Sequence, residues 1–254
     1  MTRVYLFVEG QTEQTFANTV LQPHLSHFGV YLHGAVLIAH ARRNGRVHRG
    51  GAIRYQPMKD DIQRFLKQET SPDVRFTTMI DLYGLMQDFP NFDSAKSLQP
   101  RLRINALEAA FYQDINDRRF IPYIQLHEYE ALLFSDIQCL NSQFENRENQ
   151  INELATISSQ FESPELINDG PQTAPSKRII QHIPEYENRK VMVGSLAAEH
   201  IGLPKLRSRC PHFDEWIKKL ESPGNGFEYA TSPVPRDAPR FHQRKITLRN
   251  PNEK

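Results

Sequence analysis

Val4-Tyr5-Leu6-Phe7-Val8-Glu9-Gly10-Gln11-Thr12-Glu13 is an apolar run that breaks at Glu9-Gly10 and restarts as the polar opening of a helix. The run is too short for a stable helix and is rich in Val, Phe and Tyr, which predicts a strand buried on both faces. Gly10 permits a sharp backbone turn, and Thr12 is the expected N-cap of a helix beginning near Gln11 or Thr12. Phe16, Val20 and Leu21 then supply an apolar stripe at helical spacing. Open α/β sheets bind ligands beyond the carboxyl ends of their strands, so Glu9 and Glu13 are expected where a cation or phosphate would sit. A solvated loop glutamate and a first-turn glutamate favoured by the helix dipole are the alternative for this stretch taken alone.

The pattern recurs downstream. Val74-Arg75-Phe76-Thr77-Thr78-Met79-Ile80 is rich in β-formers and ends at Asp81-Leu82-Tyr83-Gly84, and Phe120-Ile121-Pro122-Tyr123-Ile124-Gln125-Leu126 ends at His127-Glu128-Tyr129-Glu130. Three acid-terminated strands in one parallel sheet would cluster carboxylates, and like charges that close demand cations or protons. All-oxygen ligands favour magnesium or manganese over zinc.

These motifs, in this order, resemble a bacterial TOPRIM-like family known as domain of unknown function 4276. The resemblance extends through Ala174-Pro175-Ser176-Lys177-Arg178 and Gly202-Leu203-Pro204-Lys205 to Cys210-Pro211-His212-Phe213-Asp214-Glu215-Trp216, roughly residues 3 to 220. It implies an α/β fold with a parallel sheet flanked by helices, and a relation to nucleases of the overcoming-lysogenisation-defect type. On that resemblance Glu9 and Glu13 match paired glutamates four apart, Asp81 an aspartate-bearing strand end, Glu128 or Glu130 a later carboxylate, and Lys177 a late lysine. The chain departs from the common pattern at Tyr83, where many TOPRIM domains carry a second aspartate. The resemblance also implies an ATPase partner in bacterial phage defence; the expected partners are nucleic acid and that ATPase, with self-association into a homo-oligomer left open.

At 254 residues the chain can bury a sizeable core. Its 31 basic and 30 acidic residues nearly cancel, so any nucleic-acid surface must be local. Cys139 and Cys210 lack metal-like spacing and read as reduced structural thiols in a cytoplasmic protein without a signal peptide. No apolar run approaches the roughly 20 residues of a membrane span. A strand at 3–8, helix at 12–27, strand at 30–39, helix at 57–69, strand at 74–80, helix at 94–117, strand at 120–126 and helix at 128–134 give the alternation expected of a helix-covered parallel sheet. Met58, Ile62, Phe65 and Leu66 are the expected inward residues of the second helix, and Leu98, Leu102, Leu107 and Phe111 those of the third. Helical segments are predicted at 144–161, 176–182, 189–201 and 211–221, with Gly170-Pro171, Pro184 and Pro204 as breakers. The expected organisation is therefore a TOPRIM-like α/β domain over 1–140, a helical extension packed on it over 141–222, and an extended or disordered basic tail over 223–254.

Arg42, Arg43, Arg46, Arg49 and Arg54 place five arginines in thirteen residues without an acid, in what reads as a glycine-rich loop following the second strand. Guanidinium groups bind phosphates bidentately, which makes this the expected contact to DNA or RNA. Residues 236–254 carry a net charge of +4 and are a further expected phosphate contact. The two-histidine H-E-x-x-H signature is absent, because Ala131 stands four residues after His127, and there is no phosphate loop of the G-x-x-x-x-G-K-[ST] type. The expected function is a magnesium- or manganese-dependent nuclease or nuclease subunit. A non-catalytic binding or sensor subunit is the alternative, favoured by Tyr83.

Overall fold

The computed structural model describes residues 1–43, 46–49, 54–167, 170 and 172–223. Strand β1 (Thr2–Val8) leads into α1 (Gln11–Phe16), which continues through a π-helical turn at Ala17–Leu21 into α2 (Gln22–Ser26). Strand β2 (Val30–Leu37) is followed by β3 (Ala39–Arg43), β4 (Arg46–Arg49), α3 (Tyr55–Gln68) and β5 (Val74–Asp81). The short helix α4 (Phe92–Ala95), α5 (Pro100–Ile115), β6 (Phe120–Ile121) and β7 (Ile124–Gln125) complete the sheet region. Beyond two 3₁₀ segments, Tyr129–Ser135 and Ile137–Ser142, come α6 (Glu148–Ser158), α7 (Pro175–His182), α8 (Lys190–Ile201), α9 (Leu203–Arg209) and α10 (Pro211–Glu221).

The main sheet runs β2-β1-β5-β6, with β7 also on β5, and every pairing in it is parallel. Alternate side chains of a strand serve opposite faces, and β1 shows it directly. Val4, Leu6 and Val8 enter one core with α1, α2 and the helices after residue 129, while Tyr5 and Phe7 enter a second core with α3 and α5. The C-terminal helices thus cover one face of the sheet and α3 and α5 the other. This is the α/β architecture of a parallel sheet flanked by helices.

Local differences from the sequence reading have identifiable causes. The helix after β1 begins one residue past Gly10, which occupies the N-cap position without a side-chain cap, so Thr12 lies inside the first turn. The segment 120–126 splits at Pro122, which has no N–H to give the ladder. Register nonetheless carries across the gap, from Thr77 opposite Ile121 to Ile80 opposite Ile124. Thr78 repairs the break: its hydroxyl accepts from the Tyr123 amide at 3.0 Å and donates to the Tyr123 carbonyl at 2.9 Å. Leu107 and Phe111 are buried as expected, but Leu98 and Leu102 are 39% and 59% exposed. Leu98 precedes α5, and Leu102, five residues before Leu107, points about 140° away from it at 3.6 residues per turn.

Two further elements were read as something else. Pro204 does not break a helix but sits in the first turn of α9, where a missing N–H costs nothing. The arginine segment read as a loop contains an antiparallel pair, β3 with β4, in which Arg43 lies opposite Arg46. Asn44-Gly45 between them is a strong two-residue hairpin signal. The tail beyond residue 223 lies outside the described residues.

Candidate functional site

The carboxyl edge of the sheet gathers the acids. Glu9 follows the last residue of β1, and its Oε1 accepts a hydrogen bond of 3.3 Å from the amide of Asp81, the last residue of β5. Two further backbone bonds extend this edge: the Leu82 amide donates to the Gln125 carbonyl and the Tyr83 amide to the His127 carbonyl, each at 3.0 Å. They tie the chain leaving β5 to the chain leaving β7, so Asp81 and Glu128 stand on stitched neighbours. His127 takes a left-handed backbone with φ of 65° at that crossing.

Glu13 lies in the first turn of α1, buried, and its Oε2 has no hydrogen-bond partner. Two glycines make room for these carboxylates. A Cβ on Gly84 would stand 3.0 Å from Glu9 Oε2, and one on Gly10 would stand 3.0 Å from Glu13 Oε2.

Glu128 has an extended backbone and caps the 3₁₀ segment, while Glu130 lies inside it. The two are therefore not related by an α-helical rotation of about 200°, and both face Asp81 electrostatically. Glu128 Oε2 accepts from the Ser176 amide in the first turn of α7 at 2.9 Å. Glu130 is buried, with the Tyr186 hydroxyl donating to its Oε1 at 3.4 Å and Lys190 Nζ at 3.9 Å.

The charges report a shared environment. Burial, and next the neighbouring Glu13, lift the Glu9 carboxyl from 4.5 to about 7, against the pull of the Asp81 amide. Burial also raises Glu13, offset in part by the amides of Glu13 itself and Gly10. Asp81 is held well above the usual carboxylate range by burial and then by Glu13, Glu9, Glu130 and Glu128. Burial and Glu128 lift Glu130 to about 7, opposed by Lys190. Among the described residues no group of three or more His, Cys, Asp or Glu side chains is arranged so that it could hold a metal ion. The five carboxylates form an acidic neighbourhood that Lys190 offsets only in part, and a cation would neutralise the rest. The donors are hard oxygens, Glu13 Oε2 is buried and unpartnered, and Gly10 and Gly84 leave space beside the carboxylates, so the chemistry of the donor set, though not its present spacing, suits a hard divalent cation.

Lys177 is exposed and forms no ion pair among the described residues, although its neighbour Ser176 holds Glu128. Among the described residues the cation that approaches the cluster is Lys190, 3.9 Å from Glu130, a residue that no motif in the sequence marks. It begins a helix whose Gly194 abuts α1, since a Cβ there would stand 3.3 Å from Thr12 Cγ2. Tyr83 is 41% exposed beside the edge, with no carboxylate at that position. Arg42, Arg43, Arg46 and Arg49 occupy the β3–β4 pair, and Arg54 is exposed at the N-cap of α3. Their strands leave the same edge, for the Ile38 amide, one residue before β3, donates to the carbonyl of Val8 at 3.0 Å.

These features define an α/β protein whose candidate site is an acidic cluster at the carboxyl end of a parallel sheet, where such sheets bind ligands. The chain belongs to the family described as domain of unknown function (DUF4276), whose model matches residues 8–221, as the order of its motifs anticipates. Among solved structures it is similar to the C-terminal region of the Burkholderia pseudomallei OLD protein, at 15% identity and a TM-score of 0.43, over 87% of this chain and 99% of that one. It is also similar to the C-terminal region of the Xanthomonas campestris pv. campestris OLD protein, at 14% identity and a TM-score of 0.33, over 86% and 97% of the two chains. Comparison with curated proteins finds no match. No helix among the described residues is long and apolar enough to cross a membrane.

Proposed function

We propose that the chain is a magnesium- or manganese-dependent nuclease, or the nuclease subunit of a larger assembly, acting on phosphodiester bonds. The observation that carries this reading is the convergence of Glu9, Glu13, Asp81, Glu128 and Glu130 on one strand edge, where burial and mutual repulsion raise the carboxyls of Glu9, Glu13, Asp81 and Glu130. Glu9, Glu13 and Asp81 would hold one cation, with Glu128 and Glu130 available to it or to a second. A bound divalent ion of this type supplies Lewis-acid stabilisation of phosphoryl oxygens and a lowered pKa for water. The protein's own part is to position and to balance charge. The Asp81 amide orients Glu9, the Ser176 amide orients Glu128, and Tyr186 and Lys190 orient Glu130. Lys190 is placed to offset negative charge developing at a phosphate, and Lys177 to contact the substrate farther out.

In this reading arginines 42, 43, 46, 49 and 54 bind the nucleic-acid backbone, and an ATPase partner and a role in phage defence follow from the family resemblance. A non-catalytic binding or sensor subunit is the second reading, and Tyr83 favours it, because a phenol does not replace a hard anionic ligand at neutral pH.

The test is metal-dependent cleavage of DNA and RNA by the purified chain, alone and with an ATPase encoded beside it, alongside Glu13→Gln. The nuclease reading expects cleavage that needs magnesium or manganese and is lost in Glu13→Gln. The same variant should also lose the rise in Tm that a cation bound only to the folded state confers. A parent chain that is stabilised by metal but cleaves neither nucleic acid under either condition selects the sensor reading.

A further inference from the structure

Helix α8 is apolar on more of its circumference than the other described residues cover. Val193, Ala197 and Ile201 face the core, yet Val191, Met192 and Leu196 on the outer side are 42%, 50% and 43% exposed. A helix that is hydrophobic all round is normally buried all round, and a contiguous exposed apolar patch marks a contact surface. The patch is one wall of a groove of about 540 Å³ whose other wall is Thr15 of α1 and Thr19 of the π-helical turn. Charges bracket it in a specific order. Arg189 at the N-cap, Met192, Leu196 and Glu199 are spaced three, four and three residues apart, which puts all four within an arc of about 80° at 3.6 residues per turn. That spacing reads the same from either end, with a cation at one end and an acid at the other. Glu199 is exposed and makes no ion pair among the described residues. Arg189 donates to the Gln143 carbonyl and lies over the Phe144 ring, with no acid paired to it among the described residues.

We propose that α8 is the two-fold interface of a homodimer, in which the α8 helices of two copies of this chain pair antiparallel along the groove. A two-fold contact sets residue i against residue j and j against i, so the patch must complement itself. A single register achieves this. The axis that places Met192 against the partner's Leu196 also places Arg189 against the partner's Glu199, because both pairs are centred on Gly194. Each apolar contact and each charge pair is therefore made twice, and each helix N-terminus meets the C-terminus of the other, which suits their dipoles. A different protein would need only an apolar ridge to fill the groove, and nothing would then call for charges placed symmetrically about Gly194. Thr15 and Thr19 extend the contact beyond one helix pair, which a stable dimer of at least about 1,000 Å² requires. Lys190, next to Arg189, is the residue that approaches Glu130. Pairing in this register brings the two Lys190 backbones to about 15 Å from each other, from a rise of 1.5 Å per residue and helix axes about 9 Å apart. The two acidic edges thus lie close together, although the inference does not depend on what those edges do.

Sedimentation equilibrium of the full chain over about 1 to 100 µM, the range suited to interfaces at the small end of the specific class, should report a dimer. Leu196→Glu and Met192→Lys should each weaken association about 100-fold or more, as loss of a central apolar anchor does. At a dilution where the parent is also monomeric, both variants should melt with the parent, which shows that they are folded. The register is tested by charge. R189E and E199R should each weaken association about tenfold or more, because each sets like charges against one another twice. Mixed in equal amounts, the two variants should form a heterodimer about as tight as the parent dimer, since one copy then presents two acids to two cations of the other. A parent that stays monomeric across the range, a dimer that survives Leu196→Glu, or a mixture of R189E and E199R that fails to pair would each overturn the proposal. None of these measurements reads cleavage, so failure of the nuclease reading leaves the dimer standing and failure of the dimer leaves the nuclease reading standing.

Discussion

Glu9 reaches across from the end of β1 to accept the amide hydrogen of Asp81 at the end of β5, 3.3 Å away. That one bond sets two acids side by side although 72 residues separate them. It offers Glu9 only partial compensation for burial, and the consequence is a pH dependence opposite to that of an ordinary salt-bridged carboxylate. Glu9 and Glu130 are lifted from 4.5 to about 7. Between these values the folded chain binds more protons than the unfolded chain, so stability falls as pH rises. A shift of this size corresponds to about 3 kcal/mol per group as an upper bound. In EDTA, Tm should therefore be higher near pH 5 than near pH 8, and Glu9→Gln should remove part of that slope. With magnesium or manganese the loss at high pH should be recovered, since the cation binds the deprotonated cluster. A Tm that climbs steadily from pH 5 to 8 in EDTA, with no difference between parent and variant, would contradict this account.

Lys190 and Lys177 separate by their contacts. Lys190 Nζ stands 3.9 Å from Glu130, whereas Lys177 is exposed and makes no ion pair among the described residues. Lys190→Met should lower cleavage by about tenfold or more, since it removes a cation worth several kcal/mol of charge stabilisation in a partly desolvated site. It should also move the acid limb of the pH profile upward, because Lys190 holds the Glu130 carboxyl down. Lys177→Met should cost several-fold at most and leave that limb in place. The reverse ranking would return the role to Lys177.

The sheet and its acidic edge were legible because strand cores and their acidic ends are local in sequence. Val4 to Glu9 and Val74 to Asp81 each announce burial and then stop. What was not legible depended on distant partners. Thr78 rescues the strand that Pro122 interrupts, and nothing near Pro122 signals it. Lys190 reaches Glu130 across 60 residues through the packing of Gly194 against α1, which only the assembled core brings about. Asn44-Gly45 is a different case, a hairpin signal present in the chain and obscured by the surrounding arginines.

Between α5 and α10, His212 of the Cys210-Pro211-His212 stretch forms a buried pair with Glu108, Nε2 to Oε1 at 3.0 Å. The same Glu108 oxygen accepts the Ile124 amide at 2.9 Å, and Glu165 accepts the His212 and Phe213 amides at the start of α10. Burial disfavours the imidazolium, but the attraction and hydrogen bond of Glu108 outweigh it, so the His212 pKa is raised from 6.5. A raised histidine stabilises fully below its unfolded pKa and loses that contribution as pH rises through the folded value. Glu108→Gln should thus destabilise most at pH 6 and least at pH 9, by roughly 3 to 5 kcal/mol at the acid end, where a buried charge is left unpaired. Urea unfolding of parent and variant at the two pH values measures this, and an equal loss at both would assign the pair no ionic role.

The last prediction turns on Gly84, the residue that leaves space for the Glu9 carboxylate. An added Cβ would stand 3.0 Å from Glu9 Oε2, 3.5 Å from Oε1 and 3.6 Å from Cδ, all atoms at the far end of a flexible side chain. Gly84→Ala therefore obliges Glu9 to swing rather than the backbone to yield, and global stability should change by less than about 1 kcal/mol. The bond from the Asp81 amide should be lost with that movement. Metal stabilisation and cleavage should then fall together by about tenfold or more, since a displacement of a ligand by a fraction of an ångström is costly in a preorganised site. Gly10→Ala should act likewise through Glu13 Oε2, with the complication that Gly10 also begins α1. Thermal melts with and without magnesium, alongside cleavage assays, read all three quantities. If Gly84→Ala is as stable, as metal-responsive and as active as the parent, Glu9 does not need the position in which it is found, and the first of the three acidic edges is not part of the site.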